Sequence, residues 1–134
     1  FDLYGFSNRQ PVWGNDYLFA MSQSKMGLNL SRGEPLKYYS SDRIAQLFGN
    51  GLLTFLDKKT YLNELFTNKE AIFYNDINDL AEKILKYKKD NKKRKKIAKN
   101  GKFKYMKFFN SDIVSQFMID KTFDFKSKNK YIWI

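Results

Sequence analysis

The run Leu52-Leu53-Thr54-Phe55-Leu56 follows directly on Gly49-Asn50-Gly51. It is too short for a helix, begins straight after a glycine, and has no polar face to offer water. Such a run suits a strand buried on both faces, and that requires a parallel sheet covered by helices on each side. The neighbouring segments agree. Met26 to Leu30 and Ala71 to Tyr74 read as further strands, and Phe1 to Phe6 as a strand that turns at Gly5. Helical patterns stand between them. Asn15 or Asp16 starts one that runs to about Lys25, and Ser40-Ser41-Asp42 starts the next, with Ile44, Leu47 and Phe48 on one face. Thr60 to Phe66 reads as a short helix. Asp76 caps a helix carrying Ile77, Leu80, Ile84 and Leu85, and Asp90 or Asn91 starts one carrying Ile97, Ala98, Tyr105 and Phe108. Ser111 starts a last one with Ile113, Val114, Phe117 and Met118 facing inward. The expected fold is α/β, an open parallel sheet of at least four strands, near Leu3, Leu28, Leu53 and Ile72, with flanking and C-terminal helices.

The chain has 134 residues, one domain's worth, with an aromatic share of 18%. It has no cysteine and no histidine. Disulfides, thiolate chemistry and the commonest metal ligands are thereby removed, and acid–base work falls to carboxylates, Lys or Tyr. The lack of cysteine fits a reducing cytoplasm. No apolar run approaches the roughly 18–20 residues of a membrane span. The chain opens at Phe1 inside an apolar run, which reads as a piece of a longer protein.

In an open α/β sheet, ligands bind beyond the carboxyl ends of the strands. The loop Ser31-Arg32-Gly33 lies past one such end, and the helix beginning near Ser41 points its free N–H groups at the same place. A helix N-terminus with Ser40, Ser41 and Arg43 beside it suits a pyrophosphate. Arg43 is expected in the first turn, its side chain near that loop. Read without further context, Ser41 or Asp42 is an ordinary cap and Arg43 a solvated charge. Phe6 and Trp13 read first as core or interdomain filler and second as stacking platforms for a base.

The blocks KMGLNLSRG (residues 25–33), YYSSDRIAQLFGNGLLTF (38–55) and FYNDINDLAEKI (73–84), preceded by DLYGF (2–6) and GNDYLFAMSQSK (14–25), resemble the C-terminal domain of CgeB-like glycosyltransferases. That family is similar in turn to the GT-B enzymes that use nucleotide-sugar donors. The resemblance implies a Rossmann-like fold, the donor-binding half of such an enzyme. Residues 1–125 would be a partial donor-binding domain and 126–134 a basic, aromatic tail. A full domain of that kind has six strands, so lost strands would leave edges to be covered by dimerisation, swapping or rearrangement. Arg43 would be the leading phosphate ligand, with Ser41, Ser40, Arg32 and Gly33 around it. Gln46 stands where the broader group has a glutamate on the donor ribose, and Tyr38 where a second glutamate lies near the donor sugar. The catalytic base would come from the missing N-terminal domain, and this piece alone would be inactive. No Asp-x-Asp tripeptide of the metal-dependent GT-A kind occurs, so neither a metal nor another cofactor is expected.

The net charge is +11. From Lys83 to Lys107 there are thirteen Lys or Arg and one Asp, while the rest is near balance. The first reading of the cluster at residues 88–96 is a solvated face, with Leu80, Ile84, Ile97 and Phe108 buried beneath it. The second is an anionic membrane surface, which would make the protein peripheral at the inner membrane. Nucleic acid ranks below both, because no helix-turn-helix, zinc-finger or RNP pattern is present. The expected partners are a nucleotide-sugar donor and a glycan or glycolipid acceptor. The rival functions are a basic nucleic-acid-binding module and a degenerate transferase domain kept for protein interaction.

Overall fold

The computed structural model describes residues 8–30, 33–127 and 130–134. Helix α1 (Gly14–Gln23) precedes strand β1 (Met26–Leu28), helix α2 (Asp42–Gly49) and strand β2 (Leu53–Asp57). Two 3₁₀ turns, Lys58–Thr60 and Leu62–Glu64, lead to strand β3 (Ile72–Tyr74). Helices α3 (Ile77–Lys89), α4 (Asn91–Phe108) and α5 (Ser111–Thr122) complete the chain. The strands form one parallel sheet in the order β1-β2-β3, with Leu28 opposite Phe55 and Phe55 opposite Ile72. The fold is thus the expected open parallel α/β sheet with flanking and C-terminal helices. Three strands are present among the described residues, and the one expected near Leu3 lies outside them.

The period of two along β2 sends its side chains into two cores. Leu53 and Phe55 join Ile72, Tyr74, Leu80 and Tyr87 on one face. Leu56 and Phe73 join Ile44, Phe48, Leu62 and Phe66 on the other. Helix α4 contributes to both, with Ile97 and Ala98 in the first and Tyr105 against the second. It therefore crosses the sheet at the amino ends of the strands. There Asn100 Nδ2 donates to Lys69 O at 3.1 Å, and a Cβ at Gly101 would lie 2.3 Å from Glu70 O.

The glycine signal after α2 acts as read. Gly51, at φ +71°, is left-handed, and its N–H reaches Phe48 O at 2.9 Å while the Leu52 N–H reaches Leu47 O at 3.0 Å. This pair of bonds closes α2 and delivers the chain directly into β2. Asp76 accepts from the N–H groups of Asn78 and Asp79, and Asp90 from that of Lys93. α5 starts at Ser111 as expected, capped by Asn110, whereas α1 begins earlier than expected, at Gly14 after Trp13, with no side-chain cap. The helix expected over Thr60 to Phe66 is broken into 3₁₀ turns because Tyr61 takes a left-handed φ of 58°.

Burial departs from expectation at several positions. Arg94 is 7% exposed, since it falls three, four and seven residues before Ile97, Ala98 and Gly101 on the inner side of α4, where it donates to Asn91. The lysines at 88–96 do face solvent; Leu80 and Ile97 are buried, and Ile84 and Phe108 half-buried. Ile77 and Leu85 are exposed. Met118 is 61% exposed, while Asp120 is buried. Gln116 and the Tyr131 hydroxyl both donate to Asp120 at 2.7 Å. Those bonds, with one from Ser127 first among them, hold the Asp120 carboxyl below its ordinary value. The aromatic end of the chain packs inward, with Trp133 5.3 Å from Phe109 and 5.6 Å from Phe117 between ring centres. Trp13, at 77% exposure, fills no core, and Phe6 lies outside the described residues.

Candidate functional site at the carboxyl edge of the sheet

β1 ends at Leu28, but the Asn29 N–H still bonds Phe55 O at 3.1 Å. This draws Asn29 inward, to 2% exposure, at the carboxyl end of the strand. Its Oδ1 accepts from Ser41 Oγ at 3.2 Å. Among the described residues its amide nitrogen has no partner, and a buried donor left in that state costs about 1–3 kcal/mol. Ser41 is the N-cap of α2, with φ −100° and ψ 162°, yet its side chain makes no cap bond. Its hydroxyl is turned to Asn29 instead. The first turn of α2 thus keeps N–H groups that no side chain satisfies, at the positive end of the helix dipole.

Arg43 is the second residue of that turn. Its Nη1 donates to Leu30 O at 2.7 Å, which carries the guanidinium across to the chain leaving β1. The side chain is exposed, and its remaining donors stay available. Gly33, at φ +71°, turns the loop in a conformation that a side chain would strain. Ser31 and Arg32 lie outside the described residues. Ser40 is exposed just ahead of the cap.

Gln46 and Tyr38 stand apart from this group. Gln46 is half-buried one turn further along α2, where its carbonyl oxygen accepts from the Tyr17 hydroxyl and ties α1 to α2. Tyr38, at φ 58°, is fixed to the turns that follow β2. Its N–H bonds Thr60 O at 2.8 Å, and its hydroxyl donates to the Glu64 carboxylate. The Lys37 ammonium lies 4.7 Å from the Tyr38 ring centre and 5.3 Å from that of Tyr61. Tyr38 and Ser40 also border a cleft of about 640 Å³, whose walls include Ile44, Phe66, Tyr105 and Trp133. No group of three or more acidic side chains gathers among the described residues. No helix there is long and apolar enough to cross a membrane.

Sequence reasoning missed Asn29, which it took as part of the strand. A signal was present: a polar residue between Leu28 and Leu30, in a strand with helices over both faces, has to find a partner or a ligand.

A parallel sheet whose carboxyl edge carries a helix N-terminus, a buried amide and an arginine defines an α/β domain with an anion-receptive end. The chain belongs to the glycosyl transferase-like family, whose model matches residues 2–120. No curated protein and no solved structure matches it.

Proposed function

We propose that the protein is the donor-binding domain of a GT-B glycosyltransferase of the CgeB-like kind, one that moves a sugar from a nucleotide diphosphate to a glycan or glycolipid hydroxyl. The observation that carries this reading is the convergence of Arg43, the uncapped first turn of α2 and the buried Asn29 amide at the end of β1. Phosphate oxygens would accept from the α2 N–H groups and from the free side of the Arg43 guanidinium, with Ser41, Ser40, Arg32 and Gly33 around them. Gln46 would reach the ribose through its amide nitrogen, since Tyr17 holds its carbonyl oxygen. Tyr38 would stand beside the donor sugar, at the mouth of the cleft it shares with Ser40.

In the transfer, the acceptor oxygen bonds the anomeric carbon while the bond from that carbon to the diphosphate oxygen breaks. The electron pair leaves with the diphosphate, and the acceptor proton goes to a base on the acceptor-binding half. Charge grows on the departing diphosphate. Fixed N–H dipoles and Arg43 would stabilise that charge without a metal. The protein would work in the cytoplasm.

Calorimetric titration with nucleoside diphosphates tests the reading. Binding is expected, and Arg43→Ala is expected to weaken it by about 1.5–3 kcal/mol, the scale of one charged hydrogen bond. That corresponds to roughly a 10- to 150-fold rise in Kd. No binding by the unaltered protein would support the degenerate-domain reading instead. Binding unchanged by Arg43→Ala would remove the proposed phosphate site.

A further inference from the structure

The solvent face of α4 combines two features. The first is charge. The helix carries nine Lys or Arg and no acid. Arg94 turns inward and Lys104 lies 3.8 Å from Glu70, so seven exposed lysines remain. The second feature is apolar. Phe103 is 69% exposed and Met106 52% exposed.

Helical spacing puts the two features on one side. With 3.6 residues per turn, Lys92, Lys99, Phe103 and Met106 line up opposite the buried Ile97, Ala98 and Gly101. Lys99 and Lys107 stand one turn either side of Phe103, and Lys102 stands one turn before Met106. The path of α4 across the amino edge turns this side away from the candidate donor site.

We infer that this face of α4 docks the protein on an anionic lipid bilayer, with the lysines at the headgroup phosphates and Phe103 and Met106 in the acyl region. Charge complementarity selects an anionic partner. The apolar pair selects a bilayer among anionic partners, because a bilayer offers phosphate and hydrocarbon within one surface. The lysine stems can lie along that boundary with their ammonium groups kept at the headgroups. Nucleic acid offers phosphates but nothing to Met106, and the face is a single convex helix with no groove for a strand. The inference does not rest on the donor-site reading, since the two sites occupy opposite edges of the sheet.

Co-sedimentation of the whole protein with vesicles tests it. Vesicles of phosphatidylcholine with a phosphatidylglycerol fraction are expected to retain the protein, and phosphatidylcholine alone is not. Retention should fall steeply as salt shortens the screening length. Phe103→Ser with Met106→Ser should lower the partition about tenfold or more, from the apolar area no longer buried. Both residues are exposed, so the fold should survive, and circular dichroism checks that. A Phe103→Cys variant, whose thiol is unique in a chain without cysteine, gives a second readout. A polarity-sensitive dye on it should report an apolar environment with anionic vesicles only. Any one of four results would overturn the inference: no retention, equal retention by neutral vesicles, a double variant that binds as well as the parent, or tighter binding to an oligonucleotide than to anionic vesicles.

Discussion

Gly101 offers a substitution whose sign turns on the structure. It sits in the interior of α4, where alanine is ordinarily better than glycine by about 1 kcal/mol. On helix propensity alone, Gly101→Ala should stabilise the protein. The surroundings reverse this. The added Cβ would stand 2.3 Å from Glu70 O and 2.8 Å from a ring carbon of Phe48. An ordinary C···O contact is about 3.3 Å, so α4 must withdraw by roughly 1 Å from the amino end of β3. Glu70 O is backbone just ahead of a buried strand and cannot swing aside. Phe48 is held in a stack between Phe66 and Tyr105, with centroids at 4.8 and 5.4 Å. Overpacking of this kind costs about 1–3 kcal/mol, occasionally more, which matches or exceeds the propensity gain. The withdrawal also strains the bond from Asn100 to Lys69 O. The net expectation is a loss of up to about 2 kcal/mol, or up to roughly 8 °C in Tm for a chain of this size. Thermal unfolding followed by far-UV circular dichroism measures it. Gly49→Ala is the control, because Gly49 is helical and has nothing within 4 Å of its added Cβ. It should be neutral or slightly stabilising. A Gly101→Ala protein as stable as Gly49→Ala would refute the close approach of α4 to the sheet.

Gly51→Ala forces a side chain into φ +71° and should cost roughly 1–2 kcal/mol in urea unfolding, with the m-value unchanged. Asp120 should make the docking of the aromatic tail acid-labile. Its folded pKa is lowered from 3.8, so its contribution is complete above that value and is lost as pH falls below it, through the lower folded value. Tryptophan fluorescence of Trp133 should report the release, and Asp120→Asn should abolish that pH dependence.

The parts of the fold legible in the sequence are those set by neighbours along the chain. Gly49-Asn50-Gly51 announced the end of α2, Asp76 and Asp90 announced helix starts, and the apolar run after Gly51 announced a strand with two buried faces. What escaped depends on distant partners. Asp120, three residues after the inward Phe117, is buried where Tyr131 reaches it, while Met118 is exposed. Gln46 is engaged by Tyr17, twenty-nine residues away. Arg94 is an intermediate case. Its spacing from Ile97 and Ala98 marked it as inward, but the lysines around it pointed to solvent. At the candidate site, the placement of Arg43 beside the chain leaving β1 followed from spacing alone. The Asn29–Ser41 pair did not, because nothing local indicated that a capping serine would turn away from its own helix.

The distribution of charge separates two questions that the net value of +11 runs together. A basic chain in a glycosyl transferase-like family, read with the proposed nucleotide donor, invites the view that its lysines serve the donor phosphates. The geometry speaks against this. The middle of α4, at Asn100 and Gly101, is held at the amino edge of the sheet, while Arg43 and the start of α2 lie at the carboxyl edge. β2 has five residues, and at about 3.3 Å per residue the edges are roughly 16 Å apart. That is about two screening lengths at physiological salt, so little of the lysine field survives at the far edge. The anion binding proposed at the carboxyl edge therefore rests on local groups: one guanidinium held at Leu30 O, the uncapped N–H groups of α2 and the buried amide of Asn29. The bilayer inferred as partner for the lysines is independent of that edge, and the exposed Phe103 and Met106 side chains among them fit a surface with hydrocarbon beneath its phosphates.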